Sequence, residues 1–197
     1  MCPVVTGAPG RLGAHDHEKR KYLLGLAALA AATIGTVLAV GTAAGGPDQL
    51  SQARIATAGF HDFGRAAADG RGELKDALGI ACIDAPGLGA MGIHDVKGAI
   101  VGDGAVKVST PEALVYEPQA NGRLRLVALE YVVFKADWDA HHSSPPSLFG
   151  QTFNFTPSPN RYGLDPFYSL HVWIWKDNPS GMFAPWNPKV SCAAPRL

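Results

Sequence analysis

The chain has 197 residues, with 17 Lys and Arg balanced by 17 Asp and Glu and 47% apolar side chains. This neutral balance lacks the basic stripe that nucleic-acid binding requires, and it leaves enough apolar residues for a real core.

Lys19, Arg20 and Lys21 precede an uncharged apolar stretch of nineteen residues, 22–40, and Thr42, Ala43 and Ala44 follow it. A cationic start, an apolar middle and a small-x-small exit make up an export signal, with cleavage placed after Ala44. Nineteen apolar residues also suffice to cross a bilayer, and an uncleaved segment 22–40 would anchor the chain with its domain outside. Both readings put the globular part in an extracytoplasmic or secreted setting. No cysteine stands at the exit of the apolar run to accept a lipid. Residues 1–44 hold four of the basic and two of the acidic residues, so 13 and 15 remain in 45–197, about −2 net. That 153-residue remainder suits a single exported domain.

Residues 45–72 carry Leu50, Ala53, Ala56, Phe60, Phe63 and Ala67 at steps of three and four, which predicts one helix, with Gly59 and Gly64 as points where it can bend. Glycines crowd residues 80–104, and the run from Gly87 through Gly89 and Gly92 to His94 predicts loop with short extended pieces. Two extended runs, 113–117 and 123–134, flank a turn ending in Asn121-Gly122, a hairpin signal. Residues 137–166, with Pro145, Pro146, Pro157, Pro159 and Pro166, predict a long surface loop. Residues 168–175 predict a strand with Leu170, Val172 and Ile174 on one face and His171, Trp173 and Trp175 on the other. The expected fold is α+β: an N-terminal helix packed on a small antiparallel β-sheet or barrel, with long Pro- and Gly-rich loops.

Glu130 is the clearest anomaly. Alternation places it with Leu124, Leu126, Ala128, Val132 and Phe134, on the face expected to be buried. An ionised carboxylate there costs several kcal/mol, roughly, unless a cation, a hydrogen-bond network or a metal satisfies it. His171 sits in the interior of the other strand. If the two strands are neighbours, imidazole and carboxylate meet, and these are standard donors for a divalent metal such as Zn, Mn, Fe or Cu. His94, at the end of the glycine run, is a candidate third ligand and His61 a fourth, although compact His-x-His spacings are absent. The alternatives are a structural polar pair, with Arg125, Arg161 or Lys135 as partner for Glu130, and metal-free acid/base chemistry. His141-His142 lies in the polar loop, where solvation or adventitious surface metal binding are the two readings.

Cys82 and Cys192 remain after the leader as an even pair in an oxidising compartment, which predicts a disulfide. Such a bridge would stabilise the domain by roughly 2–4 kcal/mol. Trp173, Trp175 and Trp186 offer a platform for a small apolar or carbohydrate ligand, or simply core. No Gly-x-Ser-x-Gly, P-loop or dinucleotide fingerprint occurs.

The segments Gly89-Ala-Met-Gly-Ile-His94, Leu114-Val-Tyr-Glu-Pro118, Leu170-His-Val-Trp-Ile-Trp175 and Asn178-Pro-Ser-Gly-Met-Phe-Ala-Pro-Trp-Asn-Pro188 resemble a group of small exported bacterial proteins. The resemblance covers about residues 55–192 and implies export and a single domain, with no activity, cofactor or site residue attached to it. Three functions stay open at this stage: a metal-binding domain using His94, Glu130, His171 and His61, which would make metalloenzyme chemistry available; a metal-free binding module for a small apolar or carbohydrate ligand; and a structural envelope protein.

Overall fold

Extended runs between turn formers over residues 72–172 build nine strands. The computed structural model describes residues 47–193, so the leader expected over 1–44 lies outside the described residues. These belong to one compact unit, and among them no helix is long and apolar enough to cross a membrane. In chain order the elements are α1 (Pro47–Thr57), a 3-10 turn (Ala58–His61), α2 (Phe63–Ala68), β1 (Gly72–Glu73), β2 (Cys82–Ala85), β3 (Gly89–Val96), α3 (Gly98–Val101), β4 (Ala113–Pro118), β5 (Leu124–Phe134), α4 (Lys135–Asp139), β6 (Ser147–Leu148), β7 (Gln151–Thr152), β8 (Asn154–Thr156) and β9 (Phe167–Val172). The main sheet runs β1-β3-β4-β5-β9-β8, with β2 also on β3, and β6 pairs with β7 separately. Every pairing is antiparallel. The result is mostly antiparallel sheet with a few short helices, an α+β arrangement.

The stretch expected to be one helix is three pieces over residues 47–68, and residues 45–46 lie outside the described part. The break falls at Asp62, whose Oδ1 accepts the Gly64 N–H at 3.0 Å and so starts α2 as a new helix. Ala53 and Ala66 pack with Leu114, Tyr116, Leu126 and Leu129 on one face of the sheet. The Tyr116 hydroxyl donates to the Phe60 carbonyl at 2.8 Å and ties that face to the 3-10 turn.

The glycine run expected as loop is strand β3, paired with both β2 and β4. Glycine is needed there because other backbone comes close. A Cβ on Gly89 (φ +96°) would lie 2.2 Å from the Asn187 carbonyl oxygen, and one on Gly92 (φ +112°) 2.6 Å from that of Tyr116. The expected hairpin forms as β4 and β5, with Gly122 at φ +75° in its turn. The Pro-rich segment is less bare than expected, since it contains α4, β6 and β7, and β8, which adds to the sheet beside β9.

Two further corrections concern which side chains share a face. Opposite Val115 and Tyr116 the register of β5 slips from Ala128 to Leu126, leaving Val127 as an extra residue. This bulge interrupts the alternation. Leu124 and Leu126 therefore lie with the helix-covered core, as do Leu129, Tyr131 and Val133, while Ala128 belongs to the opposite face. Glu130, Val132 and Phe134 line a cavity on that opposite face, so they do not share a side with Leu124 and Leu126 as expected. Strand β9 ends at Val172, three residues short of the expected end at Trp175. Beyond that end Trp173 packs with Val115, Val127 and Ala128, while Trp175 packs into the helix-side core. The three tryptophans do not form one platform.

The Cys82–Cys192 disulfide is present and spans 110 residues with its Cα atoms 5.6 Å apart. It fastens the tail to β2. The tail then covers the second face, with Asn187 bridging to Ala90 and Val190 packed in the cluster of Val115 and Trp173.

Glu112, only 2% exposed, sits just before β4 and accepts the Val132 N–H at 3.0 Å. Burial pushes its carboxyl up to about 8, and that hydrogen bond offsets the shift only in part. Its folded value lies above the unfolded one of 4.5, so the folded chain holds the extra proton. The stability tied to that proton is fully present below pH 4.5 and is lost as pH rises towards 8. Glu112→Gln keeps an acceptor for Val132 and removes the titration. It is expected to flatten this slope and to gain about 2 kcal/mol at pH 8, within the ceiling of one pKa unit per ~1.4 kcal/mol; urea midpoints from pH 4 to 8 check it.

Candidate metal centre

Three neighbouring strands of the second face each supply one polar side chain. In register, Val96 of β3 faces Ala113 of β4, Ala113 faces Glu130 of β5, and Glu130 faces His171 of β9. Directly opposite residues point to the same side of a sheet, so Glu130 and His171 are cross-strand neighbours. His94 lies two residues before Val96 on the same side. It reaches Glu130 across β4, where the only side chain in that row is the methyl of Ala113.

The His94 Nε2 is 3.1 Å from one Glu130 carboxylate oxygen, and the His171 Nδ1 is 3.6 Å from the other. The two imidazole rings are 5.6 Å apart and nearly perpendicular, at 82°. Their exposures are 2% and 3%, against 16% for Glu130. One donor atom from each of the three side chains falls within 4.8 Å of the others.

None of the four imidazole nitrogens makes a well-aligned hydrogen bond to the protein. The 3.1 Å approach of His94 to Glu130 is close enough for one, yet it is not aligned for an N–H···O bond. Donor atoms that crowd together without bonding to each other suit a shared cation. An unpartnered buried polar group costs about 1–3 kcal/mol, and here there are two such rings side by side. Neither ring has a protein acceptor for its other nitrogen, so both tautomers are available to each.

Burial pushes the Glu130 carboxyl up, but the close approach of the His171 and His94 ring nitrogens, poorly aligned as it is for N–H···O bonds, more than offsets it and holds the group below the ordinary carboxylate range. Glu130 is therefore an anion in a largely desolvated place. Two of its expected alternative partners are engaged elsewhere: Arg161 bonds Asp76 at 3.0 Å and Lys135 pairs with Asp139. The third, Arg125, stands opposite Glu117 near the start of β5, beyond the bulge.

Of the other residues singled out, His61 is not in the group. It is exposed on the 3-10 turn with its ring 4.4 Å from Trp175, which packs into the helix-side core. His142 stacks on Trp138 at 3.7 Å, and both it and His141 are exposed. Trp173 lies 5.0 Å from His171 and supports that ring, its indole N–H donating to the Ala184 carbonyl at 2.6 Å. Trp186 lines the cavity above the site.

That cavity, about 580 Å³, opens over His94 and Glu130 and is walled by Val132, Phe134, Leu164 and Trp186 among others. Tyr162 also lines it. Burial and the Glu130 charge push its phenol up, which keeps it a hydrogen-bond donor. Sequence reasoning missed Tyr162 because it sits in a Pro-rich segment without periodicity.

No family model matches this chain, no curated protein matches it, and no solved structure matches its fold.

Proposed function

We propose that this is an exported domain that binds one divalent first-row transition ion through His94, Glu130 and His171. The observation that carries the reading is the convergence of three donor side chains, from three separate strands, whose imidazole nitrogens have no well-aligned hydrogen-bond partner in the protein. Two neutral imidazoles and one carboxylate are the donor set of His₂Glu zinc sites and of the facial triad that holds ferrous iron. Three protein ligands leave a coordination position free, as catalytic rather than structural ions require. The cavity opens over His94 and Glu130, two of the three donors. An ion so placed would supply activated water or a site for dioxygen, and the chain's own part is to orient the donors and keep bulk water out. The export reading is supported by the leader-like residues 1–44 and by the Cys82–Cys192 bridge, which belongs to an oxidising compartment.

Binding only to the folded state raises stability by mass action, about 4 kcal/mol at a thousandfold excess over Kd. Zinc or manganese is thus expected to raise the melting temperature of the untagged chain by several degrees, and chelator to reverse the rise. His171→Ala should melt at one temperature with or without either ion. A wild-type chain indifferent to every divalent ion offered would remove the metal reading.

A further inference from the structure

Resting on the ion proposed above, we infer that the cavity takes a small, mainly apolar carboxylate whose head meets the ion and the Tyr162 hydroxyl while its body lies along the apolar walls. The cavity volume, about 580 Å³, falls within the usual range for small-molecule sites, ~300–1,000 Å³. Its walls, including Met91, Val101, Val132, Phe134, Leu164 and Trp186, suit an apolar body, while its polar lining consists of His94 and Glu130 with Thr156, Asn160, Arg161, Tyr162 and Ser169. A mostly apolar wall with the proposed ion at His94 and Glu130 selects a molecule with a polar head and an apolar body.

Tyr162 is distinguished from the other tyrosines of the sheet and its loops. The hydroxyls of Tyr116, Tyr131 and Tyr168 donate to the Phe60 carbonyl, the Val108 carbonyl and Asp139. Among the described residues the Tyr162 hydroxyl has no protein partner, although its backbone N–H is held by Asn160 at 3.1 Å. It is a donor without a protein acceptor on a residue that lines the cavity. Such a group recognises an acceptor atom on whatever fills the space.

Charge decides the nature of the head. Arg161, the cation on the wall, is spent on Asp76. A divalent ion bound by one carboxylate keeps a single positive charge, which one more carboxylate neutralises and an ammonium group opposes. Oxygen donors also suit the open position of such an ion.

Decanoate and decylamine, below their micellar concentrations, are the probes, titrated calorimetrically into the full chain after its metal content has been measured. Decanoate is expected to bind the metal-loaded chain at least tenfold more tightly than the metal-free chain, and decylamine to bind neither. Tyr162→Phe should keep its metal and lose about tenfold in decanoate affinity, the loss of one charge-assisted hydrogen bond. Full metal content with no decanoate binding, or equal binding by Tyr162→Phe, would overturn this inference and leave the metal centre standing. A chain that takes up no metal would overturn both.

Discussion

Glu130→Gln is expected to abolish bound metal while the chain remains folded, with affinity falling by more than the ~10–100-fold typical of losing an outer-shell partner. The substitution preserves shape and replaces an anionic donor by a neutral amide, so the two imidazoles 5.6 Å apart lose the charge between them. His94→Ala and His171→Ala should have the same effect, each by removing one of three donors. His61→Ala should retain full metal, since its ring lies against Trp175 and outside the group. A purely structural cluster predicts a different pattern. There Glu130→Gln would leave two buried imidazoles without their polar partner and cost about 1–3 kcal/mol whether or not metal is supplied. Elemental analysis and urea melts of the four variants separate the two cases, and a Glu130→Gln chain with wild-type metal content would remove Glu130 from the site.

Gly92→Ala is expected to be strongly destabilising. Gly92 has φ +112°, a region open to glycine alone, and a Cβ there would lie 2.6 Å from the Tyr116 carbonyl oxygen and 3.2 Å from a Val115 methyl. The obstacle is backbone inside the sheet, which moves only by parting β3 from β4. A loss of about 3 kcal/mol or more follows, near the upper end for single substitutions. In a domain of this size that is roughly a 10 °C fall in melting temperature. Because His94 is two residues along the same strand, metal affinity should fall with it. An unchanged denaturation midpoint would contradict this view of β3.

The part of this site that was legible in the sequence came from residues in the wrong company. A carboxylate within an apolar run and a histidine within an aromatic one pointed to Glu130 and His171, which are cross-strand neighbours. The face they share was not legible. A uniformly apolar run hides a bulge: from Leu126 to Leu129 every residue is apolar and buried, so nothing there marks Val127 as the extra one. The glycines of β3 read as loop because glycine weakens strands in general, and the backbone of Asn187 and Tyr116 that requires them comes from chain far away in sequence. Trp175 was placed with His171 by extending strand alternation beyond Val172, where the strand stops. The cysteine pair needed no geometry, only an even count and the expectation of an oxidising compartment.

The most direct measurement is X-ray absorption fine structure on the untagged chain loaded with one equivalent of zinc. The account predicts a first shell of two imidazole nitrogens at ~2.0–2.1 Å and carboxylate or water oxygens at ~2.0–2.2 Å, with the imidazole signature lost in the His94→Ala and His171→Ala double variant. An all-oxygen shell, or an imidazole signature that survives that double variant, would contradict it.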